Sequence, residues 1–80
     1  MHEALTYFRL TVIFGKGRGD RSTLFYKTRD AALAAGKKLR EDVTKAKFGE
    51  FVFIEDEVGN RVDFRARDFI RTELEPPDVG

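Results

Sequence analysis

Apolar and polar side chains alternate along most of this chain, and the period of the alternation divides it into strands and one helix. A period of two, in stretches rich in aromatic and β-branched residues, occurs at residues 5–14, 22–27, 50–55, 61–65 and 69–75. That period places successive side chains on opposite faces of an extended backbone. The pattern therefore predicts five β-strands.

A helical period separates the second strand from the third. Thr28 is suited to the N-cap, because its hydroxyl can accept a hydrogen bond from a first-turn amide, and the helix is expected to run to about Lys47, before Gly49. Small residues dominate one stripe of this helix, at spacings of three and four: Ala32, Ala35, Gly36, Leu39, Val43 and Ala46. We therefore expect the helix to lie close to the sheet, with large strand side chains filling the space between them.

The order of these elements predicts an α+β fold, β-β-α-β-β-β, in one domain that comprises residues 1–80. The glycine-rich stretch 15–21 is expected to be a long hairpin loop between the first two strands. We expect one mostly antiparallel five-stranded sheet, in the order 2-1-3-4-5, with the helix packed on one face. Residues 76–80, which begin with two prolines, are expected to form a flexible tail.

Aromatic residues are numerous for a chain with a single helix, since it contains eight Phe and two Tyr. The strand that holds Phe51 and Phe53 is apolar on both faces, which is typical of a strand buried on both sides. With Phe8 and Val52 directed at the helix, six residues are expected on the helix-free face: Tyr7, Ile13, Phe25, Phe51, Phe53 and Phe69. An uncovered patch of that kind is unusual on a monomer, so we predict that a second copy of the chain covers it.

The composition also favours self-association. A domain of 80 residues has a thin margin of stability, which small proteins often increase with disulfides, metal ions or oligomerisation. Cysteine is absent and His2 is the only histidine, so disulfides and a zinc site of the usual Cys and His type are excluded. We therefore expect a homo-oligomer, in the simplest case a dimer, and no cofactor.

Nothing in the sequence indicates a membrane or an exported protein. The longest apolar run is residues 51–54, far short of the ~20 residues that span a bilayer. The first residues lack the basic flank and apolar stretch of a signal peptide. We expect a cytoplasmic protein without a membrane partner.

Charge is unevenly distributed along the chain, although the net charge is only +1. Residues 1–48 hold 11 Lys and Arg against 5 Asp and Glu, whereas residues 49–80 hold 4 against 9. Either folding interleaves the two halves, or a basic surface is available to an anionic partner. The residues expected on such a nucleic-acid-binding surface are Lys16, Arg18, Arg21, Lys37, Lys38 and Lys45. If Phe51 and Phe53 are exposed, they can also stack on bases.

Candidate catalytic residues are scarce. There is no cysteine nucleophile, no interior histidine, and Ser22 is the only serine. The glycine-rich stretch 15–19 precedes a strand, whereas phosphate-binding loops precede a helix. We therefore predict a non-enzymatic protein-interaction module that self-associates through the aromatic face. A different protein partner is left open, and nucleic-acid binding is the alternative function.

Overall fold

The structure is a computed structural model that describes residues 6–15 and 19–77. Its elements confirm the predicted α+β order, β-β-α-β-β-β, with antiparallel strands and one α-helix. They are β1 (Phe8–Phe14), β2 (Asp20–Tyr26), α1 (Arg29–Lys45), β3 (Phe51–Glu55), β4 (Arg61–Arg65) and β5 (Phe69–Glu75), with a short 3-10 helix (Ala66–Asp68) before β5.

The strands form two antiparallel sheets, and the predicted single sheet in the order 2-1-3-4-5 is therefore wrong. One sheet has the order β2-β1-β5, and β3 and β4 form a separate hairpin. On the side of β1 opposite β2, the neighbouring strand is β5, so that Arg9 pairs with Glu75 and Ile13 pairs with Arg71. The hairpin instead shares a second layer with α1. Because the helix buries mainly small side chains, it leaves much of the sheet for the hairpin to cover.

A single hydrophobic core lies between these two layers. The side chains of β1 and β2 that face it alternate with those that face away, as the period of two predicts. Its buried members are Leu10, Val12, Leu24, Tyr26, Ala32, Leu39, Val52, Ile54, Phe64 and Ala66. The hairpin and the helix therefore depend on the same face of the three-stranded sheet for burial.

The helix begins and packs as its sequence indicates. Thr28 is the N-cap, and its hydroxyl accepts a hydrogen bond from the Ala31 amide at 3.0 Å. Gly36 is buried against β1, because a Cβ built on it would lie 3.8 Å from a methyl carbon of Leu10. The predicted close approach of helix and sheet is thus confirmed, although α1 ends at Lys45, two residues earlier than expected.

A β-bulge in β5 changes which of its side chains reach the core. Ile13 pairs with Arg71 and Phe14 pairs with Phe69, so Ile70 is an extra residue in β5. Phe69 packs against the core, where its ring stacks 6.2 Å from that of Phe64. The placement of Phe69 on the helix-free face is therefore wrong, because the bulge shifts the alternation by one residue. Ile70 is 44% exposed instead.

The turn between β3 and β4 fastens the hairpin to the outer edge of β2. The Phe25 amide donates to the Asp56 carboxylate at 3.0 Å, and the Phe25 carbonyl accepts from the Glu57 amide at 3.2 Å. The Tyr26 hydroxyl donates to the Glu55 carbonyl at 2.7 Å. Burial, and then the nearby Asp56 and Glu57 carboxylates, raise the pKa of Tyr26 to about 12.

Asp56 also organises the turn itself. Its carboxylate accepts hydrogen bonds from the amides of Val58 and Asn60, at 3.0 and 2.8 Å, and from the Asn60 side chain at 2.7 Å. Burial on its own raises the pKa of Asp56, but the hydrogen bonds from Asn60, Phe25 and Val58 outweigh it and lower that pKa below the usual 3.8. The folded state therefore favours the ionised carboxylate.

We predict that Asp56→Ala lowers the free energy of unfolding by about 2–3 kcal/mol near neutral pH, because several charge-assisted hydrogen bonds are lost together. Asp63→Ala, which removes only an exposed ion pair, should cost less than about 1 kcal/mol. Urea unfolding followed by circular dichroism measures both.

The pH dependence has a definite sign. Since the folded-state pKa of Asp56 is lowered, its contribution is complete above the ordinary value of 3.8 and is lost as the pH falls through the lower folded value. The difference between the wild type and Asp56→Ala should therefore shrink as the pH decreases below about 4. A difference that stays constant down to acid pH would contradict this role for the carboxylate.

Candidate functional site

Polar side chains occupy the middle of the helix-free face of the three-stranded sheet, and the register places Ile13 and Phe25 on the same face. Charged and hydroxyl side chains of its three strands meet there in cross-strand pairs: Arg9 with Glu75 at 3.6 Å, Arg21 with Glu73 at 3.5 Å, and Thr11 with Thr23 at 3.2 Å. Exposed ion pairs of this kind contribute little to stability but are well solvated. This polar part of the face therefore does not need a second molecule to cover it.

The structure does not bring the six predicted interface residues together. Ile13 is only 4% exposed and lies beside Gly19, where an added Cβ would be 3.4 Å from the Ile13 side chain. Tyr7 and Phe25 pack against each other edge to face, with ring centres 6.4 Å apart. Phe69 is part of the core, as described above. Only Phe51 and Phe53 remain as large, exposed aromatic residues from the predicted set.

Those two residues lie on the outer face of the β3–β4 hairpin. Val52 and Ile54 are buried against the rest of the protein, so alternation directs Phe51 and Phe53 away from it. Phe51 is 61% exposed and Phe53 is 41% exposed, and Phe48, just before β3, is 87% exposed. The expectation that β3 is buried on both sides is therefore wrong within the single chain.

An arginine guanidinium lies over each of these three phenylalanine rings. The guanidinium carbon of Arg61 lies 4.0 Å from the ring centre of Phe53. The corresponding distances are 4.6 Å from Arg65 to Phe51 and 4.9 Å from Arg67 to Phe48. Arg65 is the direct cross-strand partner of Phe51, so the register of the hairpin produces this contact. We call these six residues the Phe–Arg face: Phe48, Phe51, Phe53, Arg61, Arg65 and Arg67.

The three arginines differ in how their charges are compensated. Arg61 contacts Asp63 at 3.0 Å and Glu55 at 3.8 Å. Arg65 donates a hydrogen bond to the Gly49 carbonyl at 2.7 Å. Within residues 6–15 and 19–77, no carboxylate lies within salt-bridge distance of Arg65 or Arg67. Positive charge is therefore available at the end of the Phe–Arg face that holds Arg65 and Arg67.

A groove of about 380 Å³ joins the Phe–Arg face to the helix. Phe51 and Phe53 line one side, and Lys38 and Lys45 of α1 line the other. The Lys38 ammonium lies 5.9 Å from the ring centre of Phe53 and 3.1 Å from the Asp42 carboxylate. Residues that the sequence assigned to two alternative functions thus lie beside one another in the folded chain.

Two of the other predicted nucleic-acid-binding residues, Lys37 and Arg21, lie elsewhere. Lys37 is exposed on a different side of α1, in a shallow groove that also contains Arg40 and Glu41. Arg21 lies on the polar outer face of the three-stranded sheet, where it pairs with Glu73. Lys16 and Arg18 lie outside the described residues. Of the four that the structure describes, Lys38 and Lys45 lie next to the Phe–Arg face.

The sequence interpretation missed four members of this face: Phe48, Arg61, Arg65 and Arg67. A signal for Arg61 and Arg65 was present, since both occupy the polar phase of β4 at the two ends of that strand. When residues 56–60 form the hairpin turn, the alternate residues of β4 that include Arg61 and Arg65 lie on the same face of the hairpin as Phe51 and Phe53. Arg67 and Phe48 lie outside the strands, so alternation could not place them.

Comparison with protein-family models, with curated proteins and with solved structures finds no match to this chain. Within the described part of the chain, no group of three or more His, Cys, Asp or Glu is arranged to hold a metal ion. No helix among those same residues is long and apolar enough to cross a membrane. Function is therefore inferred from the geometry of the Phe–Arg face.

We predict that the aromatic residues of this face contribute little to folding. Phe51→Ala should lower the free energy of unfolding by about 1 kcal/mol, since it removes one exposed cation–π pair and one cross-strand contact. Phe48→Ala should change it by less than about 0.5 kcal/mol. Phe64→Ala, on the buried face of the same hairpin, should cost about 3–5 kcal/mol. Equal losses for Phe51→Ala and Phe64→Ala in urea unfolding would show that Phe51 is structural.

Proposed function

We propose that this protein is a small cytoplasmic binding module without enzymatic activity, and that its Phe–Arg face binds single-stranded nucleic acid. The observation that carries the proposal is the pairing of three exposed phenylalanine rings with three arginines on one side of the hairpin. Aromatic platforms and cationic side chains in alternation are what a single strand requires for its bases and its phosphates.

The rings suit unpaired bases. A base exposes both flat faces only when it is not stacked within a duplex, and it then stacks on an aromatic ring or on a guanidinium plane. Phe51 and Phe53 are two residues apart on one face of β3, so they offer successive platforms along the strand. The arginine above each ring can receive a base on its own outer surface or move aside for it.

Charge on the same face favours a phosphate-bearing partner over an apolar one. An apolar surface that covered the rings would also cover Arg65 and Arg67 and would leave both cations without counter-charges. Phosphates supply those counter-charges and can accept paired hydrogen bonds from a guanidinium. Lys45 lies across the groove from Phe51 and adds a cation there, beside the carboxylates Asp42 and Glu50 that line the same groove. We therefore place the sugar-phosphate backbone along Arg65, Arg67 and Lys45.

Self-association, the function expected first from the sequence, remains a proposal but requires a different surface. The six residues predicted to form the self-association surface are distributed among the core, the three-stranded sheet and the hairpin. The only exposed aromatic cluster that the described residues contain is the Phe–Arg face, whose cations oppose close contact with an identical face. The β5 edge of the three-stranded sheet, which has no second strand partner among the described residues, offers a better site.

The test is fluorescence anisotropy with labelled 12-nucleotide single strands of dT and rU, together with a duplex of the same length. We expect the single strands to bind and the duplex to bind more weakly. Phe51→Ala and Phe53→Ala should each weaken single-strand binding about 5- to 150-fold, which corresponds to a loss of about 1–3 kcal/mol per stacked base.

The salt dependence identifies the phosphate contacts. Arg65→Gln and Arg67→Gln should each reduce the slope of log K against log salt by about 0.7, the value for one phosphate contact on a single strand. Arg21→Gln is the matched control, because Arg21 lies on the other sheet and pairs with Glu73. Absence of single-strand binding at low salt, or an equal effect of Arg21→Gln, would contradict the proposal.

A further inference from the structure

The two outer edges of the three-stranded sheet differ. On one side, the amide and carbonyl of Phe25 in β2 are bonded to the hairpin turn, at Asp56 and Glu57. On the other side, β5 is a seven-residue strand whose only strand partner among the described residues is β1. The strand contains no proline or lysine, two of the devices that commonly protect an exposed edge.

The direction of the free main-chain groups of β5 follows from the alternation of an antiparallel sheet. Since the Phe25 amide and carbonyl point outward from β2, those of its β1 partner, Arg9, point toward β5. Arg71, Glu73 and Glu75 of β5 therefore direct their main-chain groups at β1. Thr72 and Leu74 consequently direct theirs away from the sheet. Among the described residues, no backbone group outside the strand ladders bonds to either.

We propose that β5 pairs antiparallel with β5 of a second copy, with Thr72 on the two-fold axis, to form a continuous six-stranded sheet across a dimer. The partner is a second copy because the alternating charges of this edge, where Arg71 already pairs with Glu73 of the same chain at 3.0 Å, are complementary to those of an identical edge. This proposal does not depend on nucleic-acid binding by the Phe–Arg face.

Charge selects the register of the pairing. When Thr72 lies opposite Thr72 of the partner subunit, Arg71 lies opposite the partner subunit's Glu73, and the reciprocal pair forms on the other side of the axis. These are non-hydrogen-bonded positions, where side chains of antiparallel strands approach most closely. A shift of the axis to Glu73 would bring Glu73 opposite the partner's Glu73, and a shift to Arg71 would bring two arginines together. Like charges directly opposite each other are destabilising, so Thr72 is the favoured centre.

Main-chain hydrogen bonds agree with the same register. The two hydrogen bonds between Thr72 and the partner's Thr72 satisfy main-chain groups that have no backbone partner among the described residues. An interface of a single strand pair is small, and we therefore expect a dimer that dissociates on dilution.

Light scattering on a size-exclusion column, over a range of protein concentrations, tests the dimer. The wild type should shift from the monomer to the dimer mass as the concentration rises. Arg71→Glu and Glu73→Arg should each weaken the homodimer about tenfold or more, because each places two like-charged pairs at the axis. A mixture of the two single variants should form a heterodimer, and the double variant should recover the homodimer, since both restore opposite charges.

A second pair of variants tests the main-chain bonds. Thr72→Pro removes an amide that points away from β1, so the sheet should remain intact while the dimer is lost. Thr72→Val keeps that amide and loses only the hydroxyl that accepts from Arg40, so it should dimerise like the wild type. Circular dichroism confirms that each variant is folded.

Three results would overturn the proposal: a wild type that stays monomeric at every concentration, single charge variants that dimerise like the wild type, or single variants that fail to pair with each other. Phe51→Ala should leave the dimer unchanged, because Phe51 lies on the hairpin rather than on β5. A dimer that Phe51→Ala abolishes would place the interface on the Phe–Arg face instead.

Discussion

The packing of the β3–β4 hairpin on the three-stranded sheet is the interaction on which the rest of the structure depends. A helix whose buried residues are Ala32, Gly36 and Leu39 cannot cover this sheet alone. Phe64 supplies the missing bulk and stacks on Phe14, with ring centres 4.8 Å apart. Hydrogen bonds that Phe25 and Tyr26 of β2 donate to the hairpin hold the two layers in register. The hairpin thus both completes the core and bonds to the edge of β2.

This arrangement decides which surfaces are exposed. Because the inner side of the hairpin completes the core, its outer side, with Phe51 and Phe53, must face solvent. Arginines of β4 and of the following turn then cover the rings as far as a single chain allows. The same arrangement bonds the β2 edge at Phe25 and leaves the β5 edge without a strand partner among the described residues.

The two proposed surfaces do not overlap in the molecule, and their two binding functions can act together. One is a side-chain surface on the hairpin, and the other is a main-chain edge on the three-stranded sheet. A dimer through β5 would carry two Phe–Arg faces, and two linked binding sites hold an extended partner more tightly than one. Self-association and nucleic-acid binding, which the sequence presents as alternatives, are therefore compatible in one assembly.

Local patterns in the sequence determined the elements of this protein, and tertiary structure decided how they are combined. Strand alternation, the Thr28 N-cap and the close-packed stripe at Gly36 were predictable, since each depends on residues near in the chain. The pairing of β5 with β1 was not, because neighbouring strands distant in sequence are chosen by burial of the whole core. The contacts of Arg61, Arg65 and Arg67 with the aromatic rings likewise required the hairpin register and the turn after it. The exposure of Phe51 and Phe53 was not predictable from the sequence either, because it depends on which layer of the fold contains the hairpin.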